Sequence, residues 1–347
     1  MKKNLIRLIS VTACGALLAG CLAGCGGGEA QQGSTDETYE LTWAGISSTE
    51  SIDTWIGEEA ARRISEQTDG HVQITVYPAN QLGDLTVAYD EIMAGNIDMG
   101  LFTLYGTYDM IMESVYTPFL TANLDEFREV FAHDNFIYQA VDEACTEQGI
   151  KLFGFWPSGY LGIVFSELQE TPEELFDFTI PKHELIRVPS MDSMMASAQA
   201  MGYNVTALNY SDVYTSLQTG IVDGSWHGGA YSNYNSFRDV ISYYVDYRVT
   251  NDVYTLIMNQ GSFDKLPTEY QEIVTNVLTE VIDEGTTMIG EQEAESLQAL
   301  ADYGVEVITP TDEQWAYMKD YFVQNVWPTF SEYYGEEFVN QMIEIAG

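Results

Sequence analysis

The sequence predicts an α/β protein with two domains connected by a long helix. Strand and helix patterns alternate in the first third of the chain, and a second alternating pattern begins near Lys151. A helical pattern of unusual length follows Pro267. With 347 residues, of which 46% are hydrophobic, the chain is long enough to build a core in each of two domains.

A β-α-β unit opens the folded part of the chain. Residues Tyr39–Ala44 alternate as in a strand, apolar residues recur at helical spacing over 52–64, and residues 72–78 alternate again. Further helix and strand patterns cover Leu85–Ala94 and 97–102. This order predicts a parallel sheet with crossover helices in the first domain.

The second domain is predicted from short strand patterns. Leu185–Val188, Asn204–Ala207 and 221–225 are the strand candidates. The helical pattern that follows them covers about 267–303 and contains two glycines. A helix of this length either crosses between two domains or bends at its glycines.

The chain is strongly acidic. It contains 53 acidic and 13 basic residues, a formal net charge of -40, and three of the basic residues, Lys2, Lys3 and Arg7, precede residue 25. A surface of this charge repels nucleic acid and anionic lipid, and it keeps the protein soluble. We therefore expect no nucleic-acid partner, and an anionic ligand has to be captured by a local cation against an unfavourable general field.

The N-terminus has the pattern of a secretory signal peptide over residues 1–24, with a basic start and an apolar stretch too short to span a membrane. Two tandem Leu-Ala-Gly-Cys boxes, at 18–21 and 22–25, resemble the lipobox at which bacterial lipoproteins are cleaved and acylated. We favour Cys25 as the acylated residue, and Cys21 is the alternative. The protein is then expected outside the cytoplasm, anchored to the membrane by its lipid.

The segment 25–38 has the composition of a flexible tether between the lipid and the folded part. Only one cysteine, Cys145, follows the two boxes, so the folded part has no pair from which to form an intramolecular disulfide. We expect Cys145 to be a small buried hydrophobic residue.

One arginine stands inside an apolar run. Arg187 belongs to 185–189, which ends at a proline and has the pattern of a buried strand. A guanidinium in such a place needs an anionic partner. In so acidic a protein the spacing favours a structural ion pair with a protein carboxylate; the alternative is a ligand carboxylate held by two parallel hydrogen bonds.

The sequence lacks the motifs of common enzyme classes. It contains no Gly-x-Ser-x-Gly elbow, no P-loop and no dinucleotide fingerprint. Its four histidines are too far apart for a zinc-site spacing: His71, His133, His183 and His227. The tripeptide at 227–229 echoes an oxyanion-hole loop, but no hydrolase nucleophile can be paired with it. We therefore predict a protein that is not an enzyme and uses neither a cofactor nor a metal.

Several short motifs follow one another in a fixed order from about Tyr39 to the C-terminal helices. They are Tyr-Pro at 77–78, Gln-Leu-Gly at 81–83, Gly-Asn-Ile-Asp-Met at 95–99, Pro-Phe-Leu at 118–120, Ile-Arg-Val-Pro at 186–189, Asp-Val-Tyr at 212–214, Leu-Gln-Thr-Gly at 217–220 and Val-Asp-Gly at 222–224. In this order they resemble the solute-binding proteins of TRAP transporters, also called the DctP-like family.

The resemblance implies a periplasmic-binding-protein fold, in which two domains close over a ligand like a venus flytrap and a long helix touches both. We place the first domain at 39–160 plus about 253–290, and the second at 161–252 plus about 291–347. The implied function is to bind a small organic acid and deliver it to the small and large membrane subunits of a permease driven by a sodium gradient. In that family the arginine at the position of Arg187 pairs with the ligand carboxylate, so the resemblance reverses the preference for a structural ion pair.

The sequence departs from the family pattern near the ligand. Many relatives carry a second arginine in the segment 158–160, where this chain has Tyr160. Trp226 and His227 stand where many relatives have a glutamate and an asparagine. A single arginine with extra aromatic side chains suits a monocarboxylate with an apolar or aromatic body better than a dicarboxylate.

Three further ligand contacts are expected. Tyr210 matches a family position whose side chain lies under the ligand, and Thr103 follows the strand 97–102 where relatives place a polar contact. Ser47 lies in the turn after the first strand, at a strand end that faces the cleft. For Tyr210 and Thr103 the alternative is an ordinary packed residue.

Two other functions stay open on the sequence alone. A lipid-anchored receptor of an ABC importer would share the two-domain architecture but should lack Arg187 and the signature at 218–224. An extracellular lipoprotein hydrolase would have to turn over its ligand. For any of these functions we expect a monomer.

Overall fold

The computed structural model describes residues 37–226 and 228–346. Several predictions lie outside these residues: the signal peptide 1–24, both candidate acylation sites Cys21 and Cys25, most of the tether 25–38, and His227. Within them the strands are β1 (Tyr39–Ala44), β2 (Val72–Tyr77), β3 (Met99–Phe102), β4 (Ile150–Tyr160), β5 (Ile163–Phe165), β6 (Leu185–Val188), β7 (Asn204–Ala207), β8 (Gly224–Trp226), β9 (Tyr243–Val245), β10 (Asn251–Asn259) and β11 (Glu306–Ile308).

The α-helices in the same residues are α1 (Ile52–Gln67), α2 (Leu85–Ala94), α3 (Leu124–Val130), α4 (Phe136–Glu147), α5 (Pro172–Leu175), α6 (Asp192–Ala200), α7 (Tyr210–Thr219), α8 (Ala230–Phe237), α9 (Gln260–Asp264), α10 (Thr268–Tyr303), α11 (Asp312–Asn325), α12 (Ser331–Tyr334) and α13 (Glu336–Ala346). Two 3₁₀ helices cover Met110–Tyr116 and Trp327–Phe330. None of the helices in the described part of the chain is long and apolar enough to cross a bilayer.

The first sheet has the strand order β2-β1-β3-β10-β4. Strand β1 is parallel to β2 and β3, whereas β10 runs antiparallel to β3 and β4. Helices α1 and α10 cover one face, over a buried apolar cluster that includes Trp43, Ile56 and Val281. The predicted parallel sheet is confirmed for β1 to β3, and β10 joins it from a distant part of the chain.

The second sheet has the order β11-β9-β5-β8-β6-β7, and only β5 runs antiparallel to both of its neighbours. The predicted strands at Leu185–Val188 and Asn204–Ala207 are confirmed as β6 and β7. The third predicted strand, 221–225, began three residues too early, because β8 starts at Gly224. The N–H of Ile221 donates to the Ser216 carbonyl (2.9 Å), so this residue caps α7 instead of joining the sheet.

The chain crosses between the sheets three times: directly from β4 to β5 and from β9 to β10, and then through α10 from β10 to β11. The two direct crossings touch where the N–H of Leu161 donates to the Thr250 carbonyl (2.8 Å). The strands that follow the direct crossings, β5 and β10, run antiparallel to their neighbours in the sheet. The carboxyl ends of the parallel strands in both sheets therefore lie at the crossings and face one cleft. The exact limits of the two domains stay a prediction.

Helix α10 packs against both sheet layers, against α1 and β4 of the first and α8 and β11 of the second. It is continuous through both glycines of the predicted stretch. At Gly285 an added Cβ would lie 2.6 Å from Ile56 Cδ1 and 3.1 Å from Trp156 Nε1, so glycine allows the helix to approach α1 and β4 closely. The structure thus has the predicted α/β architecture of two domains with one long helix spanning both.

A carboxylate on α10 holds the second domain. Glu293 accepts hydrogen bonds from the backbone N–H groups of Ala230 (2.9 Å) and Tyr231 (3.0 Å), which open α8. A Cβ on Gly229 would lie 2.4 Å from Oε2 of Glu293. Glycine at this position therefore leaves room for the Glu293 carboxylate to reach the first turn of α8. The N-terminus of α8 favours a nearby negative charge, although burial raises the pKa of Glu293 to about 7.

Cys145 lies on α4 and is fully buried, as the sequence predicts. Burial, and after it Asp142, raises the pKa of its thiol to about 12. The thiol is therefore neutral at physiological pH and behaves as an apolar core group.

Candidate functional site at the cleft

Strand ends of both sheets supply the candidate site. The first sheet contributes Ser47 after β1, Thr103 and Tyr105 after β3, and Tyr160 at the end of β4. The second sheet contributes Arg187 near the end of β6, Tyr210 at the start of α7, and Trp226 at the end of β8. The fold thus gathers the described members of the predicted site at the cleft-facing edges, where ligands bind in open α/β sheets.

Arg187 is buried, with 3% of its surface exposed. Its Nε donates to the Leu208 carbonyl (2.9 Å), and its Nη1 has no hydrogen-bond partner among the described residues. No described carboxylate lies within 4.0 Å of it. Burial lowers the pKa of Arg187 to about 10, and Tyr105 and Tyr210 oppose this shift. The described residues therefore do not form the structural ion pair that the spacing favoured.

Lys182, a second buried cation, has hydrogen-bond partners within the protein and provides a comparison for Arg187. It is buried to the same degree, with 4% exposed. Its Nζ donates to the carbonyls of Glu174 (2.5 Å), Asp177 (2.8 Å) and Ile180 (2.9 Å). All three ammonium protons are thus used inside the protein, whereas the Arg187 guanidinium keeps a free face.

Tyr105 is a residue that the sequence analysis missed. It follows β3 in the first sheet, and its hydroxyl lies near Arg187 of the second sheet: burial raises its pKa, and the Arg187 charge lowers it. Its position two residues beyond Thr103, in the same strand-end segment, is the only sequence signal that could have pointed to it.

Tyr210, at the start of α7 beside the second sheet, is also affected by the charge of Arg187. Its Oη donates to Ser236 Oγ (3.2 Å), and its ring packs edge-on against Phe237, with ring centroids 5.9 Å apart. About half of the residue is exposed. Burial around the hydroxyl raises its pKa, while Ser236 and Arg187 lower it. The charge of Arg187 therefore acts on one phenol from each sheet.

Tyr160 ends β4 beside the crossing and pairs with Asn251 of β10. Its hydroxyl is buried and meets no hydrogen-bond geometry with another described residue, although the Asn251 and Thr121 side chains lie close enough to oppose the rise in its pKa. Asn251 and Thr121 bond to each other (2.9 Å). Burial raises the pKa of Tyr160 to about 12. Trp226 is fully buried, and its indole N–H likewise lacks a partner among the described residues. Their roles as ligand contacts stay predictions.

Thr103 and Ser47 lie among other phenols of the first sheet. The Thr103 side chain lies at Tyr116, where it opposes the rise in pKa that burial causes. Ser47 lies between Tyr254 and Asp53 and lowers the pKa of both, which burial raises. Both residues are partly exposed, as a ligand contact requires.

Two carboxyl groups lie on the first-sheet side of the cleft. Asp252 near the start of β10 is 9% exposed, and Asp53 in the first turn of α1 is buried. Burial, and then the charge of Asp53, raises the pKa of Asp252 to about 7. Burial also raises the pKa of Asp53, although Ser47, Ser51 and backbone N–H groups oppose the shift.

A separate pocket of about 150 Å³ lies against α10, lined among others by Phe131, Phe155 and Arg128. Its arginine already has an anionic partner, because Arg128 Nε lies 2.8 Å from Asp283 Oδ1. This pocket has no free cation for an organic acid. No group of three or more acidic, histidine or cysteine side chains in the described residues could hold a metal ion.

Comparison with known proteins gives consistent matches. The family model described as bacterial extracellular solute-binding protein, family 7, matches residues 47–332. The sialic acid-binding periplasmic protein SiaP of Vibrio cholerae is 24% identical over 253 residues, 72% of this chain and 76% of the relative. The C4-dicarboxylate-binding periplasmic protein DctP of the same organism is 23% identical over 294 residues, 80% of this chain and 82% of the relative.

A solved structure matches the fold. The TRAP periplasmic solute-binding protein from Desulfovibrio salexigens, crystallised with bound orotic acid, superposes with a TM-score of 0.78. The match covers 89% of this chain and 97% of the other, at 20% sequence identity. The overall architecture is thus shared over nearly the whole described chain.

We expect Asp252→Asn to stabilise the unliganded protein at alkaline pH. The folded protein keeps a proton on Asp252 up to about pH 7, whereas an aspartate of the unfolded chain loses it near about pH 4. Stability therefore falls as the pH rises through this window, and a neutral asparagine removes the fall. In urea titrations the variant should match the wild type near pH 4 and exceed its free energy of unfolding by about 2 to 4 kcal/mol at pH 8.

Asp320→Asn on the exposed face of α11 is the matched control, with an expected change of less than about 0.5 kcal/mol at either pH. An Asp252→Asn protein whose stability follows the wild type at every pH would show that Asp252 is charged in the folded state.

Proposed function

Because the chain belongs to family 7 of the bacterial extracellular solute-binding proteins, we propose that it is the receptor of a TRAP-type transporter and that it binds a small organic acid through Arg187. The receptor would work outside the cytoplasm and deliver the acid to the small and large membrane subunits of the permease. Solute binding without chemical conversion is the proposed role, and the hydrolase alternative has no motif to support it.

The state of Arg187 carries this proposal. Burying a charge without a counter-ion costs several kcal/mol, and the described chain offers this guanidinium one carbonyl and no carboxylate. A ligand carboxylate would satisfy it with charge-assisted hydrogen bonds, each of which contributes about 1.5 to 3 kcal/mol. The ligands named for three relatives, sialic acid, a C4-dicarboxylate and orotic acid, are all organic acids.

Contacts from both sheets supply the mechanism. Tyr105 comes from the first sheet, and Arg187 and Tyr210 come from the second. A ligand between them has its full set of contacts only when the two domains are close together. Binding therefore shifts the open–closed equilibrium towards the closed form, which is the form the permease would recognise.

We propose a monocarboxylate with an apolar or aromatic body as the ligand class. Beyond Arg187, the cleft edges carry the aromatic side chains of Tyr105, Tyr160 and Tyr210. Arg62, Arg63, Arg128, Arg238 and the buried Lys182 have hydrogen-bond partners elsewhere, and Arg248 lies 3.9 Å from the Asp246 carboxylate. A second ligand carboxylate would face the carboxyl of Asp252 on the first-sheet side of the cleft. An ABC-importer receptor is the rival function, and it lacks support from the family match.

Lipidation of Cys25 would anchor the receptor to the membrane, so that the flexible segment 25–38 holds the cleft near the permease. Cys21 is the alternative site. This proposal rests on the tandem lipoboxes in the sequence.

Arg187→Ala should weaken binding of the preferred acid at least tenfold, which corresponds to about 1.4 kcal/mol. Isothermal titration calorimetry measures the change. Arg62→Ala is the matched control, because this guanidinium is 51% exposed and pairs only with Glu59 and Glu66 on its own helix. An unchanged affinity in Arg187→Ala would assign the residue a structural role only.

In a thermal-shift panel of small organic acids, we expect the largest rise in melting temperature from branched or aromatic monocarboxylates, because a ligand that binds only the folded state stabilises it. Tyr160→Phe should change the ranking of the acids with little effect on the melting temperature of the free protein. A C4-dicarboxylate that binds much more tightly than every monocarboxylate would contradict the proposed ligand class.

Cys25→Ser should abolish both fatty-acid labelling and membrane association of the full-length chain expressed in a bacterium, while Cys21→Ser leaves both intact. Metabolic labelling with a tagged fatty acid, followed by membrane fractionation, measures this. The opposite pattern would move the anchor to Cys21, and labelling that survives in the double variant would refute the lipobox assignment.

A further inference from the structure

The cleft contains a buried carboxyl group to which no residue in the described part of the chain donates a hydrogen bond. The buried acids of the described chain are Asp53, Glu113, Glu170, Glu184, Asp246 and Asp252. The others have a donor or a cation: the three glutamates accept hydrogen bonds, Asp246 has Arg248 at 3.9 Å, and Asp53 has nearby hydroxyl and N–H groups. Asp252 has neither a hydrogen-bond donor nor a cation among the described residues. After burial, the one charged group that raises its pKa is a second acid, Asp53.

This carboxyl group borders the same space as Arg187. Strand register brings Asp252 to the segment after β3, because β10 runs antiparallel to β3 with Thr255 opposite Phe102, so that Asp252 lies beyond the end of β3, where Tyr105 follows. Both charges act on Tyr105 and Tyr210: after burial, which raises the pKa of each, Arg187 lowers it and Asp252 raises it. Tyr254 and Tyr116 adjoin Asp252 from the first sheet, where its charge also affects them.

The two buried groups are complementary. Arg187 Nη1 has no hydrogen-bond partner among the described residues. No described residue donates a hydrogen bond to Asp252, and the two groups do not form a salt bridge with each other. A molecule that carries both a carboxylate and a cationic nitrogen would satisfy the two at once. An ammonium group supplies three N–H donors, and the phenol rings around Asp252 add cation–π attraction.

The charge of the whole protein favours the same class of molecule. With a formal net charge of -40, the protein repels a simple anion before it reaches the cleft. A zwitterion has no net charge and escapes this repulsion. Its ammonium end is moreover attracted to the Asp252 side, where Asp53 adds a second carboxyl.

We propose that the ligand is a small zwitterion, a monocarboxylic acid with an ammonium group, whose carboxylate binds Arg187 and whose ammonium binds Asp252, with Asp53 behind it. This inference rests on the proposed function and narrows its ligand class. It assigns Asp252 as a specificity-determining residue of the receptor.

Matched acid pairs test the proposal in calorimetric titrations of the purified mature protein. Each pair differs only in the ammonium group: L-leucine with 4-methylpentanoate, L-phenylalanine with 3-phenylpropanoate, and 6-aminohexanoate with hexanoate. We expect at least one amino acid to bind at least tenfold more tightly than its partner. Asp252→Asn should remove that advantage and change the affinity for the partner acid by less than about twofold, a difference of about 0.4 kcal/mol.

The outcomes separate this inference from the proposed function. If the ammonium-free acids bind with dependence on Arg187 and no amino acid binds more tightly, the zwitterion proposal is wrong and the organic-acid receptor stands. An ammonium preference that survives in Asp252→Asn also overturns the assignment of Asp252. If neither class binds, the organic-acid function fails and the zwitterion proposal fails with it. Asp320→Asn, on the exposed face of α11, should bind both members of every pair as the wild type does.

Discussion

The two direct crossings of the chain between its sheets, from β4 to β5 and from β9 to β10, are the constraint on which the site depends. A strand that leaves the cleft edge of one sheet has to enter the next sheet from its own cleft edge, and it therefore runs against the parallel strands there. Strands β5 and β10 are antiparallel for this reason. The carboxyl ends of all the other strands then face one another, and the residues just beyond those ends line a single cleft.

Charged groups at these strand ends are only partly satisfied by the protein. Packing buries both Arg187 (3% exposed) and Asp252 (9% exposed), and phenols instead of described counter-ions lie near them. Such burial lowers the stability of the free protein. The surrounding sheets, with Trp43, Ile56 and other apolar side chains packed at their faces, provide the stability that tolerates it. The same low-polarity surroundings strengthen any ligand contact to these groups.

Helix α10 connects the stable core to the moving parts. Its first half packs against α1 and β4, with Gly285 allowing close approach. Its second half contacts the second domain, where Glu293 binds the opening turn of α8. Relative motion of the domains therefore has to be absorbed at the two direct crossings and along this helix. The side chains around Arg187 can stay fixed within each sheet, so each half of the site is preorganised for the ligand.

The sequence by itself determined the local elements and much of the fold class. Periodicity identified the first β-α-β unit and α10, because alternation of apolar residues follows the geometry of strands and helices. The ordered motifs pointed to the family, and the structure gives several of them a packing role: Asp98 accepts from the N–H of Thr42 (2.7 Å) and from Ser262 Oγ (2.6 Å), and Asp223 accepts from the N–H of Leu185 (2.8 Å). The apolar run around Arg187 identified it as a buried cation that needs an anionic partner, but spacing alone favoured a structural ion pair, and the family resemblance was needed to predict a ligand carboxylate.

Only the tertiary structure decided which groups meet. Sequence spacing could not tell whether Arg187 has a protein carboxylate as partner, because such a partner can come from any of 53 acids. Asp252 and Tyr105 were missed for the same reason: one belongs to a strand that joins the first sheet from far along the chain, and the other sits in a loop without periodicity. Burial and partner choice depend on contacts between distant segments, and these are fixed by the crossings of the chain and not by any local pattern.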